Sequence, residues 1–194
     1  MPHWPDRFSA AMDHAELVPL SHHHAADLAG ASAEGELSRL WYTTIPAPEN
    51  MAAEIDRRLG LEAEGRMRPF AIRACGRAVG MTSYMNIDAA NRRLEIGSTW
   101  LAPSAQRGPV NTECKRMLLG HAFDDLDCIA VELRTHVMNR QSRAAIERLG
   151  ARLDGILRAH MILPNGTIRD TAVYSITAAD WPSARAGLDF RLGR

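Results

Sequence analysis

The chain has 194 residues, with 23 Lys and Arg balanced by 23 Asp and Glu, and 46% of it is hydrophobic. That length suits one globular domain, taken as residues 1–194, with enough apolar content to bury a core; the composition excludes a disordered chain. Zero net charge also argues against a wholesale polyanion binder, so no nucleic-acid partner is expected.

No apolar run approaches the roughly 18–20 residues that span a bilayer. Asp6, Arg7 and Asp13 interrupt the stretch where a signal peptide would be apolar. Cys75, Cys114 and Cys128 lie far apart with no CxxC pair, so they read as small buried hydrophobes in a reducing compartment. The expectation is a soluble cytoplasmic protein, a monomer or homodimer, with no membrane contact and no metal.

In chain order, Ala15–Leu20 reads as an opening strand, and Ser21 is placed to cap a helix through Leu28. A second helical piece over Glu34–Trp41 runs into a loop made by Pro46 and Pro48. Met51, Ile55 and Leu59 then recur at helical spacing, ending near Gly60 or Gly65. The period changes at Pro69–Cys75, a short strand followed by a Gly76-Arg77 turn. Val79, Met81, Met85 and Ile87 alternate with polar residues, as do Leu94, Ile96 and Trp100 after the polar turn Asp88–Asn91. Three consecutive antiparallel strands are the simplest reading.

Val110, Cys114, Met117, Leu118, His121 and Ala122 restore a helical stripe ending near Leu126. Ile129–Thr135 is a strand, and Arg140–Leu149 a helix closed by Gly150. Ala151–Leu163 and Ile168–Thr177 flank Pro164-Asn165-Gly166-Thr167, a hairpin signal. A last helix, about 179–192, forms a C-terminal extension. A helix between two strands favours a parallel crossover, so the fold class is α/β (α+β): a mixed, mostly antiparallel sheet of about six to seven strands flanked by helices.

The informative stretch runs from Leu94 to Lys115. A strand ends at Leu101, a polar loop follows, and a helix opens near Pro109, a residue suited to the first helical turn. A helix N-terminus emerging from a strand is a seat for phosphate, to which Arg107 and Lys115 would add positive charge. A plain strand–loop–helix connection is the alternative. Neither GxxxxGK[ST] nor GxGxxG is present.

The segment Ala102-Pro-Ser-Ala-Gln-Arg-Gly-Pro-Val-Asn111, and Asn139-Arg-Gln-Ser-Arg-Ala-Ala-Ile-Glu-Arg-Leu-Gly-Ala151 after the next strand, resemble the two acetyl-CoA motifs of the GNAT N-acetyltransferases. The order of elements matches from about Leu17 to Thr177. More narrowly, the chain is similar to the branch that includes bacterial ribosomal-protein N-terminal acetyltransferases. The resemblance implies a sheet splayed at its centre and acetyl-CoA as co-substrate.

The family's Gln/Arg-x-x-Gly-x-Gly/Ala falls on Gln106–Asn111, where Pro109 and Asn111 replace both later glycines. Diphosphate binding is then expected from Arg107, Gly108, Val110, Asn111 and Thr112. The backbone of Thr99, Trp100 and Leu101 resembles the splayed strand that binds the pantetheine arm, with the Leu101 N–H polarising the acetyl carbonyl. In the second motif Asn139 and Ser142 match the family pattern. The family's common tyrosine falls on Ile146, which leaves Ser142 to meet the departing thiolate; a helix N-cap is the alternative reading of Asn139.

Alternation places Glu95, Gly97, Thr99 and Leu101 on one face, with Gly97 leaving room beside Glu95. A carboxylate on an apolar sheet suits a general base for an incoming ammonium; an ion pair with Arg92, Arg93 or a neighbouring strand is the alternative. His136, at a strand end, is a second candidate base. His121 reads as a core histidine, and His22–His24 as unsuited to a metal site. His160 and Asp170 on the final hairpin, with Trp41 and Tyr42 beside the Pro-rich loop, are placed to border an acceptor.

The reading is an acetyl-CoA-dependent N-acetyltransferase acting by direct transfer on a primary amine. An N-terminal α-amine, with a pKa of about 7.7–8.0 against about 10.4 for lysine, needs the least help from a modest base. Two alternatives stand beside it: a non-catalytic acyl-CoA-binding or regulatory domain, and an acetyltransferase of a small-molecule amine.

Overall fold

The computed structural model describes residues 4–194. Eight strands form one sheet: β1 (Ala10–Ala11), β2 (Glu16–Pro19), β3 (Met67–Ala74), β4 (Arg77–Asp88), β5 (Arg93–Leu101), β6 (Ala130–His136), β7 (Arg152–Ile162) and β8 (Ile168–Thr177). Their spatial order is β1-β2-β3-β4-β5-β6-β8-β7. The expected meander β3–β4–β5 and the β7–β8 hairpin are antiparallel, and among the described residues β5–β6 is the one parallel pair. That pair is parallel because its connection carries a whole helix, α3 (Pro109–Gly120), across the sheet. The strand beyond the expected number is the two-residue β1, too short to leave a periodic signal, which pairs Ala10 with Leu17.

Helices cover both faces. On one, α1 (Ala25–Ala33) and α2 (Met51–Ala63) bury Leu28, Met51 and Ile55 against Ala71, Met81 and Trp100. On the other, α3, α4 (Arg140–Glu147) and α5 (Trp181–Arg191) bury Leu118, Ile146 and Leu188 against Leu17, Ile72, Tyr84 and Val131. The C-terminal helix therefore shares the main core: Trp181 stacks on Phe123 at 5.3 Å and donates to Asp124 at 2.8 Å. Among the described residues no helix is long and apolar enough to cross a membrane.

Three local expectations are corrected. A short 3-10 turn over His22–His24 precedes α1, which continues past Leu28 to Ala33. The piece expected as a helix over Glu34–Trp41 is a 3-10 stretch, Glu34–Arg39, broken where Gly35 and Glu36 adopt φ of 64° and 54°. On α2 the buried face is Met51, Ile55, Arg58 and Glu62, so two charged residues take the places that a hydrophobic count assigns to Leu59.

The fourth difference reaches the site. Ser83 pairs with Gly97 and Met81 with Trp100, so three steps on β5 oppose two on β4. This is a β-bulge at Ser98, whose φ is +49°. The extra residue turns Trp100 toward α1 and α2, and Leu101 toward α3. Thr99 follows Leu101, receiving a hydrogen bond from Lys115 of α3 at 2.9 Å. The even alternation expected from the sequence is therefore broken. Glu95 and Gly97 face α1 and α2, while Thr99 and Leu101 face the opposite way.

Candidate active site

The sheet is forked between β5 and β6. Their pairing consists of Arg93↔Ala130, Leu94↔Val131 and Glu95↔Glu132, and beyond Glu95 the strands part. Ala102 N–H donates to Val79 O at 2.8 Å. Antiparallel alternation then turns the N–H and C=O of Leu101 away from β4, toward the gap. Its carbonyl is held by Gln106 Nε2 at 2.8 Å. Gly80 permits this close approach, since a Cβ there would lie 2.2 Å from the Trp100 carbonyl oxygen.

The α3 N-terminus lies just past the end of β5. Pro103–Ala105 makes one 3-10 turn, Gly108 is the N-cap and Pro109 the first helical residue, as expected. The left-handed position is Arg107, at φ +61°, while Gly108 has an ordinary extended φ of −113°. The first turn contains no acid, which favours an anion there. Arg107 is exposed and Asn111 and Thr112 are half-buried, and among the described residues their side chains form no hydrogen bond. Val110 is buried and contributes only its backbone. Lys115 does not join this cluster. It is buried two turns along the helix, where desolvation pulls its pKa down to about 8.

Across the gap, α4 begins at Asn139, whose Oδ1 accepts from Ser142 N–H at 3.0 Å. The N-cap alternative for Asn139 is thus real geometry, and it leaves the Ser142 hydroxyl without a hydrogen-bond partner among the described residues. Gln141 Nε2 lies 3.5 Å from Gln106 Oε1, so the two motif segments touch. Ile146 belongs to the core beneath α4.

Glu95 sits at the base of the fork, 5% exposed. Its Oε2 accepts from Asn86 Nδ2 at 2.6 Å and faces Arg134 Nε at 3.5 Å. A Cβ at Gly97 would come within 2.7 Å of Glu95 Oε1, so the glycine does leave the expected room. Burial pushes the Glu95 carboxyl above its ordinary pKa; Arg134 and Asn86 oppose that rise, and Glu132 adds to it. The ion-pair alternative is therefore also present, but its partner is Arg134. Arg92 pairs with Asp127, and Arg93 with Glu132 at 2.7 Å.

Other groups border the same face. His136 Nδ1 accepts from Met138 N–H at 3.0 Å. The Trp41 ring stands edge-on to His136 at 5.4 Å, and its neighbour Tyr42 packs on it at 5.5 Å. The Trp41 carbonyl accepts from Asn165 Nδ2 at 3.2 Å, joining that loop to the hairpin tip. His160 pairs with Thr171 at 3.0 Å, while Asp170 holds Ala159 N–H and Arg158, so His160 and Asp170 do not pair with each other. His121 is the expected core histidine, stacked on Phe8 at 3.7 Å.

Sequence reasoning did not single out Arg58, Asn86, Arg134 or Arg169. The period-two run Glu132, Arg134, His136 on β6 is a readable signal of a polar sheet face. Nothing in the sequence pairs Asn86 with Glu95, because a second register shift between Met85 and Asp88 brings them together.

The sheet is thus forked between two parallel strands, with a helix N-terminus at its mouth and a buried carboxylate at its base. The sequence matches the acetyltransferase (GNAT) domain model over residues 14–152, and the chain belongs to that family. It is 34% identical over 106 residues to Bacillus subtilis (strain 168) YdaF, whose name provisionally assigns ribosomal N-acetyltransferase activity. That match covers 55% of this chain and only 57% of YdaF. Among solved structures, a GCN5-related N-acetyltransferase from Brucella melitensis is 29% identical with a TM-score of 0.86, over 95% of this chain and 85% of that one. Mycobacterium smegmatis RimJ, solved with CoA-disulfide, is 25% identical with a TM-score of 0.81, over 100% of this chain and 97% of RimJ.

Proposed function

We propose that this protein transfers an acetyl group from acetyl-CoA to a primary amine, with a protein N-terminal α-amine as the favoured acceptor. The observation that carries the reading is the fork itself: strand pairing stops at Glu95, and the Leu101 N–H is turned into the opening above it. Family membership supports the acetyl donor, RimJ was solved with a CoA species, and the likeness to YdaF, named for ribosomal N-acetyltransfer, supports an amine on a protein.

In this reading the diphosphate rests on Arg107, Gly108 and the amides of Val110, Asn111 and Thr112. The backbone of Thr99, Trp100 and Leu101 lines one side of the pantetheine arm, and Asn139 and Ser142 line the other. The amine nitrogen attacks the thioester carbon, and the Leu101 N–H stabilises the oxyanion. The C–S bond breaks, the sulfur leaves as a thiolate hydrogen-bonded by Ser142, and the amine proton passes through water to Glu95, six residues back along β5 from Leu101. Burial suits Glu95 to that step, because a carboxylate short of solvent holds a proton more readily. No covalent acyl-enzyme is required.

The test is single-turnover transfer to a panel of short peptides and small amines, read by intact mass. Glu95→Gln is expected to lower kcat about 10²–10⁴-fold while acetyl-CoA affinity holds; an unchanged kcat removes Glu95 from the mechanism. A binding-only acyl-CoA domain draws on Pro109, which deletes one amide donor, and on Ile146, which occupies core where the family's common tyrosine would donate. It predicts calorimetric donor binding with no product from any amine.

A further inference from the structure

We infer that Arg169 and His136 form an anion subsite on the acceptor side of the sheet, one that takes a carboxylate carried by the amine substrate. This rests on the transferase reading above and names the class of acceptor it serves.

The β6–β8 register sets His136 opposite Thr171, so Glu132, Arg134, His136, Arg169 and Thr171 share one face with Glu95. The charged groups there include the carboxylates Glu95 and Glu132 and the guanidiniums Arg93, Arg134 and Arg169, and Asp154 joins the same face through Ser175 Oγ at 3.0 Å. Arg93 and Arg134 both bind Glu132 at 2.7 Å, and Arg134 also faces Glu95. Arg169 is left over. It is half-buried, its hydrogen bond runs from Nε to Thr171 Oγ1 at 3.0 Å, and among the described residues no carboxylate forms an ion pair with it. The neighbouring Asp170 is taken by Arg158 and Ala159 N–H. Glu95 and Arg169 act on each other only at longer range, so the Arg169 guanidinium keeps a planar fork whose terminal nitrogens fit the two oxygens of a carboxylate.

His136 supplies the second, independent observation. It is 4% exposed, and its Nε2 is buried with no hydrogen-bond partner. Because Nδ1 accepts a backbone N–H, the neutral ring carries its proton on Nε2. Burial and the Arg169 charge hold His136 below its usual pKa, which keeps the ring neutral. The result is a buried donor with nothing to donate to, an arrangement that stays unfavourable until an acceptor atom arrives. This also removes His136 as the general base, since its free nitrogen already bears a proton. Trp41, itself half exposed, lies against the ring, and its carbonyl is tied to the hairpin tip, so the indole forms one wall of the subsite.

The carboxylate has two sources: the side chain of an acidic residue following the acetylated N-terminus, or the α-carboxylate of a free amino acid. The experiment compares Ser-Glu, Ser-Gln and Ser-Lys peptides of otherwise identical sequence, and an amino acid against its amide. Binding to the CoA-loaded protein is measured by calorimetry and turnover by kcat/KM. The carboxylate forms are expected to bind, and to react where they react at all, about 10- to 100-fold better than their amides. Arg169→Gln is expected to bring that ratio to about one, and Arg169→Lys to keep part of it. Equal affinity of acid and amide forms, or a preference surviving in Arg169→Gln, overturns the subsite. Acid-selective binding with no product from any acceptor upholds the subsite and sinks the transferase reading instead.

Discussion

Both terminal nitrogens of Arg58 donate to the carbonyl oxygen of Ser98, each at 3.3 Å. Arg58 is 2% exposed, its Nε is bound to Glu54 at 2.7 Å, and Nη1 also reaches Ser83 Oγ at 3.2 Å. Ser98 is the bulge residue that reverses the facing of Thr99 and Leu101. A guanidinium from α2 therefore holds the backbone irregularity that follows the start of the fork.

Arg58→Met leaves the bulge carbonyl and Ser83 Oγ without their donor, while Glu54 keeps Arg57 at 2.7 Å. A loss of about 1–3 kcal/mol is expected, as for leaving a buried acceptor unpaired, read as a lower midpoint in denaturant unfolding. On the transferase reading, KM for acetyl-CoA rises more than kcat falls, because the displaced segment lines the donor. Arg58→Lys, which keeps a donor, is expected to recover part of both.

The pH dependence should report Glu95. Only the carboxylate accepts a proton, and burial raises its pKa above the ordinary 4.5, so the acid limb of kcat/KM lies above that value. Arg134 and Asn86 both favour the carboxylate. Arg134→Gln and Asn86→Leu should each move the limb to still higher pH, and Glu95→Gln should abolish it. A limb that shifts downward in either variant counts against Glu95 as the titrating group.

Lys115 holds its ammonium in the core against Thr99, with its pKa lowered from 10.5 to about 8. Between those values the unfolded chain binds more protons than the folded one, so stability rises with pH across that window. Below it the burial penalty is fully present, about 3 kcal/mol at most. Lys115→Met is expected to stabilise the fold by about 1–3 kcal/mol at pH 7 and to flatten this rise, measured by urea unfolding at pH 7 and pH 10.

Gly80 faces the backbone of β5 too closely for any side chain. Gly80→Ala places a Cβ against the Trp100 carbonyl oxygen and the Leu101 side chain, and about 1–3 kcal/mol of overpacking strain is expected. Gly108→Ala is the control. A Cβ there meets nothing within 4 Å and φ is ordinary, so thermal stability should hold.

What was legible in the sequence was local. Pro164-Asn165-Gly166-Thr167 placed the hairpin, Asn139 marked the start of α4, and Gly150, at φ +92°, closed that segment. The bulge was not legible, because Ser98 takes a left-handed conformation with none of the glycine or asparagine signal that usually announces one. The buried charges were equally hidden. Arg58 and Glu62 look like a solvated helix face until tertiary partners are known, and Glu113 resembles a surface residue of α3. In the fold Glu113 is 1% exposed and accepts the amides of His14 and Ala15 at 2.8 Å, anchoring the N-terminal segment. In the candidate site, motif spacing marked the α3 and α4 N-termini, and a carboxylate on an otherwise apolar strand singled out Glu95. The groups that tune Glu95 come from three other segments that sequence alone does not bring together.

The reversal of facing at Ser98 makes the sheet a partition with a slit in it. Glu95 opens toward the side of α1 and α2, whereas the α3 terminus that would seat the nucleotide belongs to the other. Donor and acceptor would then enter by separate doors and meet edge to edge, neither waiting for the other to vacate. A folded protein presenting a short tail could dock on its own side without ever crossing the coenzyme.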